Sequence, residues 1–231
     1  MTPNFQSFPD GDVLAEALAK QVAAALQQRI ARDGRALLAV SGGRTPQRFL
    51  SALAAQSVDW SAVWITLVDE RWVDEVSERS NARLVRRHLL QGPAAAAHFV
   101  PLHVDAPSPE AALAQIEQRI AELPLPFAAV VLGMGDDGHT ASLFPGGDHL
   151  EAALDPASPH RVAAMRAPAA GEPRITLTLG VLAQAEFLAL HIEGEGKRRV
   201  LDAALGSTSS RAPIATVLAH SVHPPTVFWC P

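Results

Sequence analysis

The chain has 231 residues, 48% of them hydrophobic and 19% charged, which supplies a sizeable core and excludes a disordered or fibrous chain. Lys and Arg number 19 against 24 Asp and Glu, a formal net charge of -5, so the basic surplus needed for an extended nucleic-acid surface is missing. The single cysteine, Cys230, excludes a disulfide framework within the chain and a cysteine-built zinc site.

The first residues, MTPNFQSFPDGDV, lack a basic stretch followed by an apolar core, and no apolar run nears membrane-spanning length. The expectation is a cytoplasmic chain in a reducing setting, without membrane contact. Residues 12–32 carry Val13, Leu14, Ala17, Leu18, Val22, Ala25, Leu26 and Ile30 at helical spacing, which predicts an amphipathic helix ending near Gly34. Ala36–Val40 is a short apolar run, predicted as a buried strand, and Ser41-Gly42-Gly43-Arg44 follows as a tight loop. Thr45 as N-cap and Pro46 as first helical residue predict a helix to about Ala55. Val63–Val68 is a predicted strand ending in Asp69-Glu70-Arg71. Ser80 caps a predicted helix over Asn81–Leu90, Phe99–His103 is a predicted strand, and Ser108-Pro109-Glu110 opens a helix to about Leu123. Phe127–Leu132 reads as a buried strand before a glycine-rich loop. In the last third, Arg161–Met165, Ile175–Leu179, Phe187–Ile192 and Thr226–Trp229 are predicted strands, and Lys197–Leu205 and Ile214–Ala219 predicted helices. This alternation predicts one α/β domain over residues 1–231, a single doubly wound, mostly parallel sheet with helices on both faces.

In an open α/β sheet, ligands sit beyond the carboxyl ends of the strands. Three unusual polar segments follow predicted strands: Ser41–Thr45, Asp69–Arg71 and Gly133–His139. In the first, Gly42 and Gly43 let backbone N–H groups approach an anion at a helix start, and Ser41, Arg44 and Thr45 add donors. Neither G-x-x-x-x-G-K nor G-x-G-x-x-G occurs there, and an ordinary turn with a capped helix fits as well. In Gly133-Met134-Gly135-Asp136-Asp137-Gly138-His139, an aspartate two residues from a histidine is placed to hold one ring nitrogen and leave the other as a base. A metal-ligand pair, a nucleotide loop built on Gly133 and Gly135, and a polar surface turn are the other readings of that stretch. Arg174 and Lys197 are the remaining candidate cations. His88, His98, His103, His160, His220 and His223 sit in no motif and read as surface or capping residues; Trp60, Trp64, Trp72 and Trp229 read as core or rim aromatics.

Taken together, these segments resemble the 6-phosphogluconolactonase family, which belongs to a superfamily with glucosamine-6-phosphate deaminase/isomerase. The matching text is SGGRTP at 41–46, VDERWV at 68–73, SN at 80–81, LGMGDDGHTASLFP at 132–145, PRITLT at 173–178 and GEGKR at 194–198. The resemblance implies a NagB-like, modified Rossmann fold. It also implies hydrolysis of 6-phospho-D-glucono-1,5-lactone in the oxidative pentose phosphate pathway, with no metal or organic cofactor. The deaminase branch carries an AFNEP-like ending with a glutamate; here the ending is Ala141-Ser142-Leu143-Phe144-Pro145, without a carboxylate. Arg71 stands where that branch typically has an aromatic residue. Glucosamine-6-phosphate deamination and non-catalytic sugar-phosphate binding are the alternatives to lactone hydrolysis.

The expected roles follow. The substrate phosphate lies against the Ser41, Gly42, Gly43, Arg44, Thr45 loop, with Arg44, Arg174 and Lys197 as counter-charges. His139 takes a proton from the attacking water, Asp137 orients it, and Arg71 stabilises the oxyanion. Asp69 and Glu70 bind sugar hydroxyls or hold Arg71, and Asn81 faces the pocket. The expected partner is a small sugar-phosphate lactone, not nucleic acid or membrane, and the expected state is a monomer or weak homo-oligomer.

Overall fold

The computed structural model describes residues 2–206 and 212–231. The chain opens with a strand absent from the expectations above, β1 (Asn4–Ser7), whose ends are exposed and whose four residues carry no apolar run. Helix α1 (Gly11–Asp33) follows the expected course. The Asp10 side chain accepts from the amides of Asp12 and Val13, and Gly34 ends the helix in the left-handed conformation, φ 73°, its amide bonded to Ile30 O. Leu14, Leu18, Val22 and Leu26 form its buried stripe. Strand β2 (Ala36–Val40) is buried throughout. Helix α2 (Gln47–Ala54) starts later than Thr45 suggests: Pro46 is its N-cap, and no side chain caps its first turn.

Strand β3 (Val63–Leu67) leads into β4 (Asp69–Arg71), read from sequence as a strand end rather than a strand. Ser80 caps α3 (Asn81–His88), accepting from Arg83 N, as expected. Strand β5 (His98–Phe99) has only two residues of the expected 99–103 run. Ser108 caps α4 (Pro109–Ala121), with Pro109 in the first turn. Next come β6 (Ala129–Leu132), the short α5 (Leu150–Ala153), β7 (Val162–Met165) and β8 (Arg174–Leu177). Leu179, expected at the end of a strand, instead begins α6 (Leu179–Leu182). The chain ends with β9 (Phe187–Glu193), α7 (Glu195–Gly206), α8 (Pro213–His220) and β10 (Thr226–Cys230).

Among the described residues, seven strands form one parallel sheet in the order β1-β10-β9-β6-β2-β3-β5. From β2 the chain runs outward through β3 to β5, then crosses back to β6 on the other side of β2 and runs outward again. Right-handed crossovers leaving in both directions put helices on opposite faces, which is the doubly wound arrangement. The strand order therefore reverses between β2 and β6, where their carboxyl ends lie side by side, Val40 level with Val131.

A second, antiparallel sheet, β4-β8-β7, was not expected. The β4–β8 pairing joins residues about a hundred positions apart, and β4 has no apolar residue to announce it. Nearly all the buried apolar side chains form one contiguous cluster that includes Leu37 and Ile65 of the large sheet and Ile175 and Leu177 of the small one. Trp60 is buried in it, and Trp64, Trp72 and Trp229 pack at its margin.

Candidate active site

Two loops meet where the strand order reverses. Ser41 follows β2, and its amide and hydroxyl both donate to Val131 O, at 3.0 and 2.9 Å. The same hydroxyl accepts from Gly133 N at 2.9 Å. One side chain thereby holds the two loops in register.

The first loop keeps its backbone donors open. A Cβ on Gly42 would lie 1.8 Å from Asn81 Oδ1, and Gly43 sits at φ +101°, so both positions require glycine. None of the amides of residues 42–45 donates to another group among the described residues. With α2 beginning uncapped just behind them, these amides make a ready anion cradle.

The second loop is bound to itself. Gly135 N donates to His139 O at 2.9 Å, and Gly138, at φ +78°, donates to Gly135 O at 3.1 Å. His139 N donates to Asp137 Oδ1 at 3.0 Å, and His139 Nδ1 lies 2.5 Å from the same oxygen. Burial works against the Asp137 carboxylate. The His139 amide, ring hydrogen bond and charge outweigh it and hold that carboxyl below the usual aspartate range. With Nδ1 tied to Asp137, His139 Nε2 remains for chemistry. The His139 ring rests on Phe144, centroids 4.3 Å apart. Thr140, fully buried, donates to Gly133 O at 2.7 Å. Ala141 takes φ +48°, a left-handed turn that lets Leu143 N return to Thr140 O. Gly133, Gly135 and Gly138 do fall at dinucleotide-fingerprint spacing, but a tight turn follows them and no helix. That removes the geometry by which the fingerprint binds a pyrophosphate.

A cavity of about 370 Å³ opens between these loops. Its walls include eleven of the thirteen residues expected at the site: Ser41, Gly42, Gly43, Arg44, Thr45, Asp69, Arg71, Asn81, His139, Arg174 and Lys197. Asp137 stands behind His139 rather than on the wall. Glu70 is not on the wall either: it is fully buried and its carboxylate accepts from Ser80 Oγ and from the amides of Arg71, Asn81 and Ala82. Burial pushes its pKa up and those amides pull it back. Of the two expected roles, hydroxyl binding is closed to it. It anchors the start of α3, and through the Arg71 amide it fixes the strand that carries Arg71.

The small antiparallel sheet supplies the cations. Arg71 and Arg174 lie directly opposite each other across β4 and β8, so the two side chains share a face. Arg71 donates to Arg79 O at 2.6 Å, Arg174 to Ala170 O at 2.8 Å, and the Nε of each is buried without a partner. Burial lowers the Arg174 pKa; Asp69, 3.9 Å away, opposes that. Asp69 is itself held by Ser142 Oγ at 2.6 Å and Asn81 Nδ2 at 3.3 Å. Two like charges paired this way favour an anion between them. Lys197 reaches the cavity from the first turn of α7 and Arg44 from the loop before α2.

Among the wall residues that were not expected at the site from sequence are Phe144, Ala141 and His191. Phe144 and Ala141 lie inside the glycine–histidine stretch but read as apolar filler. His191 follows four apolar residues in β9, FLALHIE, where a histidine near the carboxyl end of a buried strand was a usable signal. Among the described residues no group of three or more His, Cys, Asp and Glu is gathered to hold a metal ion. The described residues also contain no helix long and apolar enough to cross a membrane.

The glucosamine-6-phosphate isomerases/6-phosphogluconolactonase family model matches residues 9–229. A 6-phosphogluconolactonase of Mesorhizobium japonicum is 50% identical over 228 residues, covering 99% of this chain and 95% of the relative. One of Rhizobium meliloti is 49% identical over the full length of both chains. The crystal structure of a 6-phosphogluconolactonase from Shewanella baltica superposes with a TM-score of 0.96 at 40% identity, covering 99% of this chain and 98% of that one. The chain belongs to the glucosamine-6-phosphate isomerase/6-phosphogluconolactonase family.

Proposed function

We propose that this chain hydrolyses 6-phospho-D-glucono-1,5-lactone to 6-phospho-D-gluconate, in the oxidative pentose phosphate pathway. One observation carries the reading at the site. A histidine oriented by an aspartate shares a single cavity with an open amide loop and an opposed arginine pair, in a chain half identical to relatives that bear the lactonase name.

The chemistry follows from the groups present. The phosphate on C6 is held by the amides of residues 42–45 with Arg44 and Lys197. That grip brings the ring ester toward His139. Neutral His139 accepts a proton from water as the water oxygen attacks C1, and Asp137 stabilises the resulting imidazolium. Negative charge grows on the carbonyl oxygen, where Arg71 and Arg174 offer unpaired guanidinium N–H groups. The imidazolium then returns its proton to the departing ring oxygen. Asp69 and Asn81 are the wall groups suited to sugar hydroxyls.

The proposal treats residues 1–231 as one catalytic unit, monomeric or weakly self-associating, working in the cytoplasm without nucleic acid or membrane. Its support is the formal net charge of -5 and the one cysteine, which is free and buried. The test is acid release from freshly made phosphogluconolactone, measured against the spontaneous blank and alongside ammonia release from glucosamine 6-phosphate. Acid production well above the blank with no ammonia is the expected result; ammonia without acid transfers the chain to the deaminase reaction.

A further inference from the structure

His191 is the one histidine besides His139 on the cavity wall, and none of the roles above uses it. It is 97% buried at the carboxyl end of β9, with 3% of its surface exposed. Its Nε2 lies 3.1 Å from Glu193 Oε1, and its Nδ1 is buried with no hydrogen-bond partner. Phe49 of α2 meets the ring edge-on, with centroids 6.5 Å apart. The charged and titratable groups around it come from several elements. Glu193 lies on β9 and Cys230 beside it on β10; Arg48 comes from α2, its Nη2 3.9 Å from Glu193; Lys197 comes from α7. The His191 hydrogen bond, together with the charges of Arg48 and Lys197, holds the Glu193 carboxyl below its usual range. An ionised Glu193 accepts only, so the Nε2 facing it carries the hydrogen. Nδ1 of the neutral ring is then a buried acceptor that nothing among the described residues satisfies.

Such an atom, on a side chain that lines an anion site, needs a proton from the occupant or from solvent. A phosphate monoester meets that need, because its second ionisation falls near about pH 6. Its monoanion brings a P–O–H that Nδ1 accepts. Its dianion accepts from Nδ1 once the ring has taken a proton from solvent. In either case one proton is shared between Nδ1 and a phosphate oxygen. We infer that His191, backed by Glu193, is a phosphate-contacting residue of the cavity and completes the cradle formed by residues 42–45. This rests on the reading of that loop as the phosphate site.

The test combines spectroscopy on the unaltered protein with kinetics on a variant. In protein labelled with ¹⁵N-histidine, titration with inorganic phosphate or 6-phosphogluconate is expected to move the His191 Nδ1 resonance, while unphosphorylated gluconate leaves it in place. His191→Gln keeps a donor toward Glu193, removes Nδ1 and assigns the resonance. It is expected to raise KM for the phospholactone and Ki for inorganic phosphate about tenfold, with kcat within twofold. Should that variant fail to fold, His191→Phe against Phe49 takes its place. An unmoved Nδ1 at saturating 6-phosphogluconate, or unchanged KM and Ki in a folded variant, overturns the inference. Wild-type protein that shifts Nδ1 with phosphate but shows no lactonase activity overturns the proposed reaction and leaves this contact standing.

Discussion

The two loops at the reversal point are built on opposite plans. The loop of residues 41–46 makes few bonds to itself: its amides from 42 to 45 donate to no acceptor among the described residues, and Arg44 is exposed. The loop of residues 133–145 is bound to itself through Gly135, Gly138, His139, Thr140 and Leu143, and Ser142 ties it to Thr176 and Asp69. The difference separates two tasks. A cradle that grips an anion must keep donors unpaired until the anion arrives. A base must already stand in one tautomer and one orientation, because a small misplacement of the reacting group is costly in rate. The first loop is therefore expected to tolerate substitution in kcat and to show it in KM, and the second the reverse.

The largest expected effect is at the base. His139→Ala should lower kcat about 10²–10⁴-fold with an unchanged melting temperature, checked by lactonase assay and calorimetry. Turnover close to wild type in folded protein would place the base elsewhere. Asp137→Asn keeps the shape and removes the charge, and about 10²-fold in kcat is expected. The low Asp137 pKa has a second consequence. Its folded-state value lies below the usual one, so the carboxylate stays charged as pH falls and is lost last. Asp137 should therefore stay ionised through the acid limb of wild-type activity, and a carboxyl proton appearing on Asp137 above its usual range, followed by carboxyl-carbon NMR, would contradict this.

Within the same loop, Thr140→Val removes the hydrogen bond to the half-buried Gly133 carbonyl. A loss of about 1 kcal/mol in urea unfolding is expected, with kcat falling alongside. Gly42→Ala tests the first loop by another route. Its Cβ would collide with Asn81, whose Nδ2 donates to Asp69 O at 2.9 Å, so KM should rise and the melting temperature fall by a few degrees. The smallest effect is at exposed Arg44: Arg44→Ala should raise KM several-fold and leave kcat within twofold. A pure kcat loss there would erase the contrast between the loops.

How much of this was legible depended on how local each signal is. Asp10, Ser80 and Ser108 lie one residue before the helices they cap, so α1, α3 and α4 are readable from short windows. Glycines with neighbouring polar residues marked both loops for the same reason. The small sheet was hidden because Asp69, Glu70 and Arg71 acquire strand geometry only by pairing with Thr176, Ile175 and Arg174. The same pairing sets Arg71 against Arg174, so two cations named separately from sequence turn out to be one unit. Glu70 misled for a related reason. Beside two wall residues it reads as a third, but strand alternation turns it inward, where it serves the start of α3.

The opposed arginines carry a consequence for the protein's lifetime. With the cavity empty, the two guanidinium groups repel one another and leave buried donors unmet, so the resting protein is less stable than its fold allows. Any anion that settles between them stabilises only the folded state. By mass action, occupancy at a hundred times Kd adds roughly 2.7 kcal/mol. For a chain of this size that corresponds to a melting point higher by about 5–10 °C. Resistance to unfolding and proteolysis is thereby tied to the concentration of the anions that the site accepts, and an enzyme in use outlasts an idle one.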